Sequence, residues 1–360
     1  MRIVCVVGTR PNIVKMAPVI AALRRRFPEW RVATVHTGQH YDRLMSDVFI
    51  EELDLPAPDH VLGVGSGTHA EQIARVLERF QPVLAQEEPD LVLVPGDVNS
   101  TLAAALAAAK MGAAVGHVES GLRSFDRSMP EETNRIATDH LSALCFLHSE
   151  EAIENLRAEE VGAERRQFVG NTMIDTLVAL ERPIRERGAP GVLGLDPGSY
   201  VLVTLHRPAL VDGPLLVDAM EGLSAVAAAL PVVFPVHPRT RKMLGDREYP
   251  GVMLTDPVGY LDFLSLESGA AAVLTDSGGI QEETTYLNVP CFTLRDNTER
   301  PVTIRAGTNT LLGLDPRRIR EIPDLLRERA AAGDGTKKRQ TPELWDGRAA
   351  ERIAEVLAGW

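Results

Sequence analysis

The chain has 360 residues, of which 44% are hydrophobic and 24% charged, and its formal net charge is −12 at pH 7. This size and composition predict a globular protein of two domains, and the negative charge argues against nucleic acid as a bulk partner. No apolar run reaches the roughly 18 residues of a membrane span, so we expect no membrane contact. The N-terminus lacks a signal-peptide pattern, and we therefore expect a cytoplasmic protein.

The cysteines and histidines do not form a metal-binding or disulfide pattern. Cys5, Cys145 and Cys291 lie in or beside apolar, strand-like runs without CxxC spacing, so we expect buried free thiols. His36 and His40 lie close together, but no third ligand follows at a recognisable spacing. We predict no metal site.

Strand-like runs alternate with Ala- and Leu-rich helical patterns along nearly the whole chain. The predicted strands are 2–7, 31–36, 90–94, 113–118, 143–147, 200–205, 231–235, 252–254, 271–275 and 289–293. The clearest helical patterns are 102–111, 215–229 and 347–357. Such alternation predicts parallel sheets with helices on both faces, and hence an α/β protein of two Rossmann-like, doubly wound domains.

The boundary between the domains is expected in the middle of the chain. Residues 181–199 are rich in Pro, Gly and Arg, as a loop or linker would be. We place the boundary slightly earlier, near Val169–Asn171. The N-terminal domain is then 1–169 and the C-terminal domain 170–346.

Polar side chains follow the predicted strands of the first domain, at the sheet edge where open α/β proteins bind ligands. The loop after the first strand carries Arg10 and Lys15, which could hold an anion together with backbone amides at a helix start. The loop after the second strand, residues 37–42, offers amide, imidazole and phenol groups suited to hydroxyls.

Carboxylates concentrate after the next two strands. Asp97 follows one strand, Glu119 lies just past the next, and Glu131 comes shortly afterwards in Met129–Arg135. Each alone could be a turn, cap or surface residue. Their recurrence at successive strand ends favours a catalytic cluster, because neighbouring carboxylates can supply both the acid and the base of a proton transfer.

Histidines follow two strands of the second domain. His206 with Arg207, and His237 with Arg239, stand at strand ends where a histidine can act as acid, base or phosphate donor. Either histidine alone would more often be structural. Two such pairs at successive strand ends favour function.

A glycine turn in the second domain leads from a strand into a helix. Exposed amides in the segment Ser277-Gly278-Gly279 suit a diphosphate. Glu283 lies about one and a half turns into that helix, where its carboxylate could accept hydrogen bonds from two ribose hydroxyls. Arg300, in a polar loop after the next strand, is a further candidate for a phosphate or ribose contact.

These motifs, in this order, resemble the non-hydrolysing UDP-N-acetylglucosamine 2-epimerase family. The resemblance is carried by His117–Arg123, Pro130–Glu132, Asp276–Glu283 and Thr298–Pro301, and it spans essentially the whole chain. It implies a GT-B architecture with the active site in the cleft between two Rossmann-like domains. It also implies that the C-terminal helix, 347–360, packs on the first domain.

The resemblance further implies an isomerase that interconverts UDP-GlcNAc and UDP-ManNAc without a cofactor. UDP is eliminated across C1 and C2 to give 2-acetamidoglucal, and it re-adds after protonation of C2 from the other face. The product of the family feeds the synthesis of surface polysaccharides. The members are homodimers.

By position, the resemblance assigns roles to residues of this chain, although which carboxylate is the C2 base stays open. The catalytic set is Asp97, Glu119, Glu131 and His206. The substrate- and UDP-binding set is Arg10, Lys15, Arg207, His237, Ser277, Gly278, Gly279, Glu283 and Arg300. Gln39 and Arg75, together with Arg207 and Glu131, stand where many bacterial members contact an allosteric UDP-GlcNAc. Asn12, Asp42 and Pro208 depart from the pattern of those members.

Other functions remain compatible with the same motifs. One is a 2-epimerase of a modified UDP-sugar such as a diacetamido-uronate, and another is a hydrolytic relative that releases ManNAc. A GT-B glycosyltransferase would share the nucleotide site but would not need the carboxylate cluster. A UDP-sugar sensor would bind without turnover.

Overall fold

A computed structural model of the chain describes residues 1–38, 52–53, 55–245, 247–332 and 341–360. The chain divides into two compact units, one formed by Met1–Ala179 with Glu343–Trp360 and the other by Leu180–Pro342. Each unit is built on a parallel sheet with helices between its strands. Among the described helices, none has both the length and the apolar character that crossing a bilayer requires.

The first unit contains a seven-stranded sheet within its described residues. Its strands are β1 (Arg2–Val7), β2 (Arg31–His36), β3 (His60–Val61), β4 (Leu91–Pro95), β5 (Ala114–Ser120), β6 (Leu144–Leu147) and β7 (Arg166–Phe168). Its helices are α1 (Arg10–Arg26), α2 (His69–Glu87), α3 (Asn99–Lys110), α4 (Pro130–Leu141), α5 (Glu150–Ala158), α6 (Thr172–Ala179) and the C-terminal helix (Ala349–Gly359). The strands are parallel and run in the order β3-β2-β1-β4-β5-β6-β7.

The second unit repeats this plan with six strands in its described residues. Its strands are β8 (Val201–Thr204), β9 (Val232–Pro235), β10 (Val252–Thr255), β11 (Ala272–Thr275), β12 (Cys291–Thr293) and β13 (Asn309–Leu311). Its helices are α7 (Glu181–Arg187), α8 (Ala189–Val192), α9 (Pro208–Val211), α10 (Leu215–Ala227), α11 (Pro238–Leu244), α12 (Tyr260–Ser268), α13 (Gly278–Leu287), α14 (Pro301–Arg305) and α15 (Ile322–Ala331). The strand order is β10-β9-β8-β11-β12-β13.

Local sequence explains where the elements start and what they bury. The central strands β1, β4 and β11 are short apolar runs that are buried on both faces, as parallel strands covered by helices must be. Helix α2 begins with a capping box in which Thr68 and Glu71 satisfy each other's backbone N–H groups. Helices α1 and α4 carry proline in the first turn, where a missing N–H costs nothing.

The C-terminal helix belongs to the first unit. Its apolar face, Ile353, Ala354 and Leu357, is buried in the same core as residues of β1 and α1. The Asp175 carboxylate of α6 accepts hydrogen bonds from the first amides of this helix, Ala349 N at 3.0 Å and Ala350 N at 2.7 Å. The helix start is thereby capped from another element.

The chain leaves the first unit after α6. Thr176 Oγ1 of this helix donates to the carbonyl of Val14 at 2.7 Å, so the unit extends to Ala179, beyond the position near Val169–Asn171 that we proposed for the boundary. The segment 181–199, for which a loop was expected, contains α7 and α8. These helices form because they bury side chains such as Ile184 against the second unit, despite the prolines and glycines.

The predicted α/β fold class with two Rossmann-like units is confirmed. Strand order reverses between β1 and β4 in the first sheet and between β8 and β11 in the second. Loops that leave neighbouring strands in opposite directions at such a point open a crevice for ligands. The loops after β1 and β4, and those after β8 and β11, carry most of the residues that the sequence singled out.

Candidate active site

Glu119 sits at an irregularity near the end of β5. The register of β5 with β6 shifts between Val118 and Ser120, and Glu119 adopts a left-handed backbone conformation with φ of 67°. Its side chain is 5% exposed and forms an ion pair with the Lys15 ammonium of α1. A bulge of this kind re-aims one side chain at a sheet edge and commonly lies beside an active site.

Gly96 lies against the Glu119–Lys15 pair at the end of β4. A Cβ atom at this position would lie 3.2 Å from Lys15 Nζ and 3.3 Å from Glu119 Oε2, and the residue has a φ of 64°. Both the space and the backbone therefore favour glycine. The loops after β4 and β5 thus meet the first turns of α1 at one place.

Asp97, directly after Gly96, is held by α4. Its carboxylate forms an ion pair with Arg135, and Arg135 Nη1 also donates to Glu132 at 2.6 Å. Glu132 additionally accepts from the amide of Ser124 at 2.9 Å. Burial alone would raise the pKa of Glu132, but the hydrogen bonds from Ser124 and the charge of Arg135 outweigh it and lower the pKa.

The remaining predicted residues of the first unit are less enclosed. Glu131, in the first turn of α4, is partly buried and forms no hydrogen bond or ion pair within the described part of the chain. Arg10 is exposed at the start of α1. Arg75 on α2 donates to the carbonyls of Val64 and Ser66 at 3.1 and 2.9 Å. Gln39 and its neighbours His40, Tyr41 and Asp42 lie outside the described residues.

In the second unit, His206 and Asp276 form a pair at the ends of β8 and β11. His206 Nδ1 lies 2.9 Å from Asp276 Oδ1, while the amides of His206 and Arg207 donate to Asp276 Oδ2 at 2.9 and 2.8 Å. Burial would raise the pKa of Asp276, but the hydrogen bonds and the charge of His206 lower it below its usual value. A buried aspartate thus fixes a histidine ring that is 55% exposed.

The start of α13 presents backbone amides beside a guanidinium. Ser277 precedes the helix and Gly278 and Gly279 open it. A Cβ atom at Gly278 would lie 2.5 Å from Arg300 Nη1, so this glycine allows the guanidinium to approach the helix start. Arg300 Nε donates to Glu282 at 2.6 Å, which fixes the guanidinium in place. Amides at a helix start next to a fixed cation suit a phosphate.

Glu283, on the same helix, is buried. It is 1% exposed, and Tyr260 Oη of α12 donates to Glu283 Oε1 at 2.8 Å. Glu267, also on α12 and fully buried, lies close enough for the charge of Glu283 to act on it. His237 is exposed just after β9.

The structure adds residues that sequence reasoning did not select. Asp276 was seen only as part of the glycine-turn motif, although it fixes His206. Arg135 and Asp139 lie on the buried face of α4 with Glu132, at spacings of three and four residues that place them on one side of a helix. Charged residues on the buried side of an amphipathic helix were the available signal.

A family model and several similar proteins all indicate the same family for this chain. Residues 22–358 match the family model described as UDP-N-acetylglucosamine 2-epimerase. The UDP-N-acetylglucosamine 2-epimerase of Methanocaldococcus jannaschii is 40% identical, with 99% of each chain covered. The UDP-2,3-diacetamido-2,3-dideoxy-D-glucuronate 2-epimerase of Pseudomonas aeruginosa is 38% identical, again with 99% of each chain covered.

Solved structures agree with the sequence relatives. The crystal structure of the M. jannaschii UDP-GlcNAc 2-epimerase in complex with UDP-GlcNAc and UDP matches with a TM-score of 0.89 and 38% identity, and the match covers all of both chains. The similarity thus extends over both units and includes their order along the chain. The chain belongs to the UDP-N-acetylglucosamine 2-epimerase family, which confirms the family and the isomerase class that the motifs predicted.

Proposed function

We propose that this protein interconverts UDP-GlcNAc and UDP-ManNAc by eliminating UDP and adding it back to the other face of 2-acetamidoglucal. The observation that carries the proposal is the grouping of acids at the end of β4 and β5. Glu119 Oε2 and Lys15 Nζ both lie against Gly96, and Asp97 follows Gly96 directly. A nucleotide-binding protein without proton chemistry has no need of two such acids.

In the proposed reaction, the first unit moves the proton at C2. Asp97, Glu119 and Glu131 are the candidate acids and bases, because a change of configuration needs one group to remove the proton and another to return it from the opposite face. Lys15 forms an ion pair with Glu119 and holds its side chain in place. The assignment of base and acid among the three remains part of the proposal.

The second unit holds UDP and supports its departure. We assign the diphosphate to the amides of Ser277, Gly278 and Gly279 and to Arg300, and the ribose to Glu283. His206, with its Nδ1 directed at Asp276, can donate a hydrogen bond or a proton from Nε2 to the leaving phosphate. Arg10, Arg207 and His237 complete the proposed set of phosphate and nucleotide contacts.

Four finer assignments rest on the same family membership. Gln39 and Arg75 are proposed to contact a second, activating UDP-GlcNAc. The protein is proposed to act as a cytoplasmic homodimer whose product serves surface-polysaccharide synthesis. Light scattering on the purified protein tests the dimer, and activity measured against the concentration of UDP-GlcNAc tests the activation.

The reaction is tested by proton NMR of the protein with UDP-GlcNAc in deuterium oxide. We expect UDP-ManNAc to form with deuterium at C2, since the proton lost in the elimination exchanges with solvent. Failure to form UDP-ManNAc or to incorporate deuterium, even with added activator, would contradict the proposal.

A second candidate follows from the Pseudomonas relative, which is named for a diacetamido-glucuronate substrate. The same NMR assay with UDP-2,3-diacetamido-2,3-dideoxyglucuronate compares the two sugars directly. A kcat/KM higher for the uronate would move the assignment to that substrate. The chemistry at C2 would be unchanged.

A further inference from the structure

The Asp139 carboxylate of α4 contacts the chain on both sides of Glu119, through the side chain of His117 and the backbone of Gly121. Asp139 Oδ1 lies 2.6 Å from His117 Nδ1, and Asp139 Oδ2 accepts from the amide of Gly121 at 3.2 Å. His117 and Gly121 stand two residues before and two residues after Glu119. One buried carboxylate therefore fixes both ends of the segment in which the β5 irregularity occurs.

His117 extends this arrangement to the neighbouring strand. Its Nε2 lies 2.7 Å from the carbonyl oxygen of Gly96, the residue directly before Asp97. A carbonyl oxygen can only accept, and Asp139 in its ionised form can only accept as well. The doubly protonated imidazolium is therefore the form of His117 that satisfies both contacts.

The charges around this pair are balanced within the described residues. Arg123 Nη1 lies 2.8 Å from Asp139 Oδ2, and Arg123 Nε and Nη2 donate to Glu159 at 2.7 and 2.6 Å. His117, Asp139 and Arg123 are thus buried side by side, and Arg123 reaches the partly exposed Glu159. Buried ions require such partners. Cys145, opposite His117 in β6, stays neutral because burial raises the pKa of its thiol to about 12.

The shift of Asp139 agrees with this charge distribution. Complete burial would raise its pKa, but the charge of His117, the hydrogen bond from His117 and the charge of Arg123 more than compensate, and the pKa is lowered. Asp139 is therefore the ionised partner of the pair.

Glu119 needs such support because of its backbone. A non-glycine residue with φ of 67° is strained and persists only where its surroundings hold it. The two bonds from Asp139 supply that restraint at His117 and Gly121. The contact of His117 with the Gly96 carbonyl ties the Asp97 loop to the same group.

We propose that Asp139 and His117 are positioning residues that set the geometry of Glu119 and Asp97 together, through one buried ion pair that spans β5, the loop after β4 and helix α4. The inference rests on the proposed function, in which Glu119 and Asp97 transfer the C2 proton. Neither Asp139 nor His117 touches the substrate in this scheme.

The first test compares Asp139→Asn with wild type. Asparagine can still accept one hydrogen bond but carries no charge to hold the imidazolium. We expect kcat to fall about 10²-fold, the loss that accompanies a misplacement of catalytic groups by about 1 Å. The Kd of UDP is expected to stay close to that of wild type, because all the residues assigned to UDP except Arg10 and Lys15 lie in the second unit.

The matched control is Asp175→Asn in the same unit. Asp175 is also a buried carboxylate and also accepts two backbone N–H groups, but at the C-terminal helix. Its kcat is expected to match wild type. A double variant, Asp139→Asn with His117→Asn, is expected to lose no more kcat than the more impaired single variant, because both act through one pair.

A spectroscopic measurement tests the pair without any assay of turnover. In protein labelled with ¹⁵N-histidine, His117 is expected to show two protonated ring nitrogens at neutral pH, and Asp139→Asn is expected to abolish that signature. A neutral His117 in wild type, or a kcat of Asp139→Asn equal to that of Asp175→Asn, would overturn the inference. Wild-type protein that binds UDP but epimerises neither sugar would overturn the proposed function instead, and the ¹⁵N signature would then still decide whether the ion pair exists.

Discussion

Two buried acids, Asp139 in the first unit and Glu267 in the second, have neighbours of opposite charge. In the first unit, Glu119 contacts Lys15 and Asp139 contacts His117 and Arg123. In the second unit, Glu267 lies near another acid, Glu283, and neither oxygen of Glu267 has a hydrogen-bond partner among the described residues.

The difference decides which acids carry a charge. A buried carboxylate beside a cation stays ionised, whereas one without a cation takes up a proton. Burial raises the pKa of Glu267 well above its usual value, and the charge of Glu283 raises it further. Asp139 in the first unit is therefore kept as an anion, because the charges of His117 and Arg123 lower its pKa, whereas Glu267 in the second unit is kept as a neutral acid near the proposed ribose ligand Glu283.

The largest effect is expected from removing the charge of Glu119, and an unchanged kcat would contradict the catalytic role of this buried acid. Glu119→Gln keeps the shape and removes the base, so we expect kcat to fall about 10²–10⁴-fold, the usual contribution of a general acid or base. Rates of UDP-ManNAc formation and of deuterium uptake at C2 are the measurements. The control is Glu154→Gln on the exposed side of α5, and equal rates for the two variants would exclude Glu119 from proton transfer.

A smaller loss of kcat is expected when His206 of the second unit loses its contact with the Asp276 carboxylate. Asp276→Asn still accepts from the amides of His206 and Arg207, but it no longer stabilises a charged ring on His206. We expect kcat to fall about 10²-fold, with UDP still bound. Asp262→Asn, a surface aspartate of the same unit paired with Arg187, serves as the control. An unchanged kcat in Asp276→Asn would show that His206 needs no partner.

The fold could be predicted from sequence where burial leaves a strong signal. The central strands of both sheets are continuous apolar runs, and all of them were predicted within a few residues. The strands that were missed, β3, β7 and β13, have two or three residues each and lie at sheet edges. Edge strands are covered less completely, and these three are too short to carry a recognisable apolar run, whereas the edge strand β10 carries one and was predicted.

The site could be predicted only in part, for a related reason. Polar residues directly after an apolar run indicate the end of a strand, and this pattern selected Asp97, Glu119 and His206. Contacts between side chains of different loops depend on strand order, and the order cannot be read from one sequence: nothing in it indicates that β8 lies next to β11. The pairing of His206 with Asp276 therefore needed the structure.

The stability of the second unit offers a finer test of the comparison. Because the folded pKa of Glu267 is raised, its contribution to stability is full below the usual glutamate value of 4.5 and is lost as the pH rises above it. Glu267→Gln cannot ionise and escapes this loss. We expect the variant to gain up to about 1.4 kcal/mol over wild type for each pH unit in that range.

Urea unfolding of both proteins at several pH values measures the difference, and the subtraction removes the pH dependence of all other groups. A difference that does not change with pH would mean that Glu267 is ionised in the folded protein. The contrast between the units would then be lost.

The smallest expected effect concerns the first unit's exception, Asp175, which accepts backbone N–H groups and whose pKa is raised by burial to about 6. Its contribution to stability is full below the unfolded value of 3.8 and is lost as the pH rises through about 6. Asp175→Asn weakens the cap of the C-terminal helix, which we expect to cost about 1 kcal/mol near pH 5. Because asparagine escapes the ionisation, this deficit should shrink by about 1 kcal/mol by pH 7.5. Urea unfolding at the two pH values decides the point: a deficit that grows with pH would mean that Asp175 is stabilised as an anion, like Asp139 beside Arg123.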